Sequence, residues 1–219
     1  MSDLFNPESE FMIKAGKIAD LAILSVLWTL CSLTIVGIGP ATTALYYAVV
    51  KSVRRDRGGI FQEFWSGIKK SWKPSLPAGL VVLLFTVSIY KIDLPSLILC
   101  ISGEADWNLL TGILAFVKLL LGVGMFLYAF PIISRYEVGM VKSLAYAAFM
   151  TLRKFPMSLL FGLLLILMVV LCAWHVAFLF ILPGLFMLLW SFQMENILHQ
   201  LMQDDEKVED QSKDQWYLE

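Results

Sequence analysis

From Met157 to Met194 the chain runs 38 residues without an Asp, Glu, Lys or Arg. As one helix, at about 1.5 Å per residue, that stretch would reach roughly 57 Å. The hydrocarbon core of a bilayer is about 30 Å thick. The run therefore reads as two membrane spans sharing one segment. Trp174-His175 is its one polar interruption and marks the turn, with the indole placed at an interface. Pro183-Gly184 is expected to kink the last span. Composition agrees: 58% of the 219 residues are hydrophobic and 16% charged, against roughly 45–50% and about 25% in soluble domains. A soluble globular enzyme is excluded.

Upstream, a first span is expected over about Ile18 to Ile38, ending in the break Gly37-Ile38-Gly39-Pro40. Proline suits the first turn of a helix, where its missing N–H would have no partner. A short second helix should start at Pro40 and carry the chain back as far as Arg54. Its small residues Ala41, Thr42, Thr43 and Ala44 suit close packing against another helix. A third span follows Pro74 and Pro77, over about Leu76 to Tyr90. Lys91, Asp93 and Pro95 then break the pattern, and Leu97 to Ile101 either extend the span or dip into the interface. The fourth covers about Leu109 to Ile133. The expectation is an all-α polytopic protein of six spans, or five if the Pro40 helix is re-entrant. Residues 1–203 form one membrane domain, followed by an acidic, disordered tail over 204–219. The acidic N-terminus lacks the positive region of a cleavable signal, so the first span should insert uncleaved.

Two basic amphipathic helices lie between spans. In the first, Lys51 to Lys73, residues Ile60, Phe61, Phe64, Trp65, Ile68 and Trp72 fall on one face, and Glu63, Lys69, Lys70 and Lys73 largely on the other. The second begins at Gly139, with Met140, Val141, Leu144, Ala148, Phe149 and Leu152 on its apolar side and Arg153 and Lys154 at its end. With the N-terminus inside, 15 of the 17 Lys and Arg residues fall on the cytoplasmic side, as the positive-inside rule requires. Only Lys91 and Lys118 are left over. Both termini are then cytoplasmic. The two halves also share a plan: apolar span, proline, tyrosine, arginine, a Gly-initiated amphipathic helix, then another apolar span. Any repeat would be parallel rather than inverted.

Catalytic and metal-binding patterns are missing. His175 and His199 fall on opposite expected sides of the membrane. Cys31, Cys100 and Cys172 form no CxxC or zinc spacing and read as small buried hydrophobes. No HExxH, GxSxG, P-loop or dinucleotide turn is present, so neither an enzyme nor a cofactor is expected. The basic charge follows from topology and does not indicate nucleic acid. It does suit anionic lipid headgroups.

The candidate functional region is Gly37, Gly39, Pro40, Thr42, Thr43, Tyr46, Tyr47 and Arg54, with Lys118 added. A broken helix exposes backbone groups that lipid cannot satisfy, so it must pack in protein or line a cavity. Its hydroxyls would then either bind a sugar-like ligand or satisfy helix ends. Lys118 lies inside span four, where a charge costs roughly 2.5–3.5 kcal/mol. It either faces a polar cavity, paired with Asp20 or Asp93 or contacting a substrate, or snorkels to the interface. Asp20 and Glu195 are expected to neutralise nearby basic residues.

The stretch VLWTLCSLTIVGIGPATTALYYAVVKSVRR, followed by GGIFQEFWSGIKKSWKPS, resembles the YesL-like family of bacterial integral membrane proteins. The features that carry the resemblance are the Leu/Trp-rich first span, Gly37-x-Gly39-Pro40-Ala41-Thr42-Thr43, the basic turn at Arg54, and Phe61, Phe64 and Trp65. It covers about Phe5 to Leu80 strongly and the rest only in hydropathy and length. The resemblance implies a multi-pass protein of the bacterial cell membrane, in Gram-positive type bacteria, with no catalytic residues to carry over. It also implies an association with carbohydrate ABC transporters, beside which such proteins are frequently encoded. A non-enzymatic accessory component contacting sugar ABC permease subunits is the leading expectation, and a small transporter or channel the alternative. A reporter fused after Gln203 should read cytoplasmic; a reporter found outside the cell would overturn the topology.

Overall fold

The structure is a computed structural model that describes residues 10–96, 109–136 and 139–204. Every regular element among them is helical. Helix α1 covers Glu10–Ser32, and a turn and a short 3-10 segment, Ile35–Gly37, lead into α2, Ile38–Ala48. A π-helical turn, Val49–Arg54, closes α2. Helix α3 covers Ile60–Ser88 and widens into a second π turn at Ile89–Asp93. Then come α4 (Leu109–Tyr136), α5 (Met140–Arg153), α6 (Phe155–Trp174) and α7 (Leu182–Asp204). Four segments are long and apolar enough to cross a bilayer: Lys14–Ser32, Ile60–Ser96, Gly112–Tyr136 and Phe155–Trp174. Those helices make this a membrane protein by length and composition.

The long uncharged run does divide at Trp174-His175, where His175 adopts extended backbone. Other boundaries differ from expectation. Helix α1 stops at Ser32, six residues before Ile38. Pro74 and Pro77 do not open a new helix; α3 runs through both, and packing against α2 holds it together. Pro183 does not kink the last span, because α7 begins at Leu182 and the proline falls in its first turn, where no N–H is needed. Leu97 to Ile101, Cys100 and the tail beyond Asp204 lie outside the described residues. Cys31 and Cys172 are half-buried rather than buried.

The two amphipathic helices put their small and polar residues inward. On α3, Glu63, Phe64, Gly67 and Ser71 are buried, while Phe61, Trp65 and Trp72 are exposed. On α5, Ser143, Ala147, Met150 and Thr151 are buried, while Val141, Phe149 and Leu152 are exposed. Glu63, expected on the polar face, is thus buried beside Phe64, while Phe61 and Trp65, expected on the same face as Phe64, are exposed. Helix backbones approach closely only over small side chains, so Gly67 and Ala147 select the inward face and the bulky aromatics turn away. Helix α6 follows the same logic: only Ser158, Phe161 and Gly162 are buried, and Leu159, Leu160, Leu163 and Leu167 are exposed, as in a helix bathed by lipid.

At the centre of the core stands Trp190 of α7, 1% exposed. Tyr128 packs edge-on at 5.2 Å and Phe161 at 4.6 Å between ring centroids. Pro131 lies within α4 and has no N–H to offer the carbonyl four residues back, that of Leu127. The indole Nε1–H of Trp190 donates to that carbonyl at 2.8 Å. A defect in one helix is thereby satisfied by a side chain from another. Trp190→Phe should cost about 1–3 kcal/mol, the usual penalty for an unpaired buried carbonyl. The double variant Trp190→Phe/Pro131→Ala should recover part of it, because residue 131 regains its N–H. Thermal unfolding in detergent checks this; equal losses in both variants would remove the hydrogen bond as the cause.

Candidate functional site

The candidate region lies mostly on α2, and from Gly39 to Ala48 every residue of that helix is buried. Small residues make this burial possible. A Cβ on Gly79 of α3 would stand 2.8 Å from the Cα of Gly39, and one on Gly67 would stand 3.0 Å from the Cα of Ala44. The hydroxyls are used within the protein. Thr42 donates to the Ile38 carbonyl at 2.7 Å and accepts from Trp28 Nε1 at 3.1 Å, and Thr43 donates to the Gly39 carbonyl at 3.0 Å. Gly37, with Gly39 and Pro40, shapes the entry to this helix, since a Cβ on Gly37 would strike the Cys31 carbonyl and the Thr34 hydroxyl. This half of the region is a packing device.

The π turn at the other end of α2 carries charge. Lys51 donates to the Tyr47 hydroxyl at 3.1 Å and pairs with buried Glu63 at 3.1 Å. Arg54 donates to the Ser191 carbonyl at 3.1 Å and lies over the Phe192 ring at 4.5 Å. Glu195 of α7, itself buried, receives three guanidinium groups: Arg55 at 3.2 Å, Arg54 at 3.7 Å, and Arg135 from the end of α4. Tyr46 lies alongside, its ring fully buried and its hydroxyl facing Arg135. Burial pulls the Arg55 guanidinium below its ordinary pKa, and neighbouring Arg57 acts in the same direction. One carboxylate thus ties the ends of α2 and α4 to α7. Nearby, Lys17 of α1 pairs with Asp56 at 2.9 Å and also acts electrostatically on Asp20.

Lys118 belongs to a different place. Its ammonium contacts both carboxylate oxygens of Asp93, at 2.9 and 3.2 Å, and Ser88 Oγ at 3.5 Å. Asp93 closes the second π turn and lies 14 residues beyond Gly79, about 21 Å along α3. The partner is Asp93 and not Asp20. The sequence region therefore separates into a packing segment (Gly37, Gly39, Pro40, Thr42, Thr43), a charge cluster (Tyr46, Tyr47, Arg54) and an isolated pair (Lys118). His175 is exposed beside Trp174.

Arg135 was absent from the sequence candidates, although a signal for it exists. Tyr47-Ala48 precedes Arg54 with the same spacing as Tyr128-Ala129 precedes Arg135, and both arginines reach Glu195. Arg54 is followed by a helix with Gly59 at its N-cap, and a helix with Gly139 at its N-cap begins soon after Arg135. Each hairpin also closes over a small residue, Gly67 against Ala44 and Gly124 against Thr151. The repeated plan seen in sequence is thus matched by paired hairpins.

Residues 21–93 match the family model described as "Protein of unknown function, DUF624". Over 180 residues the chain is 24% identical to the "Uncharacterized protein YesL" of Bacillus subtilis (strain 168), covering 82% of this chain and 83% of that protein. No solved structure matches. The two matches support the YesL-like resemblance.

Glu195→Leu should remove the carboxylate from buried Arg135 and cost about 3–5 kcal/mol, the range for breaking a buried pair. Adding Arg135→Met should recover a substantial part of the loss. Thermal unfolding of the single and double variants in detergent checks this, and strictly additive losses would show that the pair is not coupled.

Proposed function

Starting from a YesL-like protein with helices able to cross a bilayer, we propose a non-enzymatic accessory component of the bacterial cell membrane. It would work beside a carbohydrate ABC transporter, with six spans and both termini in the cytoplasm. The observation that carries this reading is the use of the α2 hydroxyls. Thr42 and Thr43, the groups best placed in sequence to hold a sugar, bond to their own helix and to Trp28. A helix buried on every side supports a structural role over a substrate path. The ABC association itself rests on what the family resemblance implies. The outward-facing residues of α5, Val141, Phe149 and Leu152, supply a surface for a permease partner.

A second reading, a small transporter or channel, is favoured by one observation. An ion pair between two membrane-spanning segments, Lys118 with Asp93, is the kind of group that marks ion and substrate paths. A mild-detergent pull-down of the tagged protein from native membranes, grown on plant polysaccharide, separates the two. Stoichiometric recovery of ABC permease subunits is the expected result. Recovery of the protein alone or as a homo-oligomer would overturn the accessory role. Liposome flux abolished by Lys118→Leu, with expression intact, would then establish the transporter.

A further inference from the structure

The front of α3 carries a polar stripe that lies outside the Glu195 cluster. Gln62, Trp65, Ser66, Lys69 and Lys70 line an open cleft of about 390 Å³. Their spacing, i, i+3, i+4, i+7 and i+8, places all five on one stripe of a single helix. The indole, hydroxyl, amide and two ammonium groups are all hydrogen-bond donors. Among the described residues no carboxylate lines the cleft, and Glu63, the acidic residue of this segment, is turned inward to Lys51. Lys70 lies over the Tyr47 ring at 5.6 Å, which holds its ammonium at the inner edge of the stripe. Lys69 is exposed.

The depth of the cleft follows from helix length. Ile60–Ser96 is a continuous 37 residues, about 55 Å, against a hydrocarbon core of about 30 Å. Its charge-free part begins after Lys73 and ends before Lys91, so that part crosses the core and the front lies at headgroup level. Exposed Phe61, Trp65 and Trp72 suit that level, since aromatic rings with a polar edge collect at membrane interfaces. We propose that this stripe is a binding site for the phosphate of an anionic phospholipid headgroup. Lys69 and Lys70 supply charge, Ser66 and Gln62 supply hydrogen bonds, and Trp65 seats the glycerol region. The phosphate source is the bilayer itself, because exposed Phe61 and Trp72 flank the stripe with apolar surface at headgroup level.

The test is native mass spectrometry of the whole protein in mild detergent, equilibrated with equal amounts of phosphatidylglycerol and phosphatidylcholine. Wild type should retain phosphatidylglycerol selectively. Lys69→Gln/Lys70→Gln should lose that retention by about fivefold per lysine, and Lys69→Arg/Lys70→Arg should keep it. Ser66→Asp, which places a like charge among the phosphate's donors, should weaken retention without removing any lysine. Equal retention of both lipids by wild type, or unchanged retention in the Gln and Asp variants, would overturn the site. Displacement of phosphatidylglycerol by millimolar inorganic phosphate would overturn the lipid as its occupant. The site rests on the membrane location proposed above. That location fails separately, if the protein stays dispersed and monomeric without detergent.

Discussion

The approach of Gly39 to Gly79 brings two helix backbones into contact with no side chain between them, and the positions of the neighbouring elements follow from it. Where backbones meet at that distance, a helix needs no lipid-facing side. Ten consecutive residues of α2 are accordingly buried. Ser71 and Ser75 back-bond to carbonyls of their own helix at 2.6 Å, which lets polar residues lie in that tight contact without exposed donors. Gly184 of α7 meets α1 in the same way, with its N–H donated to Ser25 Oγ at 2.9 Å. Small residues determine which helices touch, and large ones are left to face outward.

Burial at this density leaves charge few places to go. Both π-helical turns, Val49–Arg54 and Ile89–Asp93, coincide with ion pairs that join separate helices. A π turn takes more residues per turn than an α-helix, so it re-aims the side chains that follow it. Lys51, Arg54 and Asp93 are directed by these turns to carboxylates or cations on other elements. Low-dielectric surroundings make an unpaired charge costly, and each pairing therefore acts as a positional constraint. Glu195 is the strongest example, since it holds the ends of two hairpins to one helix.

The hairpins themselves, α2 with the front of α3 and α4 with α5, share tyrosine, arginine, glycine cap and small-residue crossing in the same order. They diverge in one respect. The first continues without interruption from amphipathic front to apolar span, while the second breaks at Lys154 into α5 and α6. Pro156 falls at the start of α6, in the first turn that tolerates it, and Lys154 leaves helical geometry just before it. In α3 the prolines come a full helical segment later, and contact with α2 carries the helix past them.

Much of the fold was legible beforehand. An uncharged run too long for one bilayer had to divide, and it divided at Trp174-His175. The helical nature of every described segment and the basic turns follow from hydropathy, charge counts and period, which are properties of neighbours along the chain. The distribution of the candidate residues was not legible. Thr42 and Tyr47 are five residues apart, yet one completes a packing contact and the other a charge cluster. Lys118 had two carboxylates available in sequence, and only the position of α3 beside α4 selected Asp93. The inward turn of Glu63, the capture of the Leu127 carbonyl by Trp190 and the convergence of Arg54, Arg55 and Arg135 on Glu195 share a cause. Each depends on distances between residues far apart in the chain, and those distances exist only after the small-residue contacts have brought the helices together.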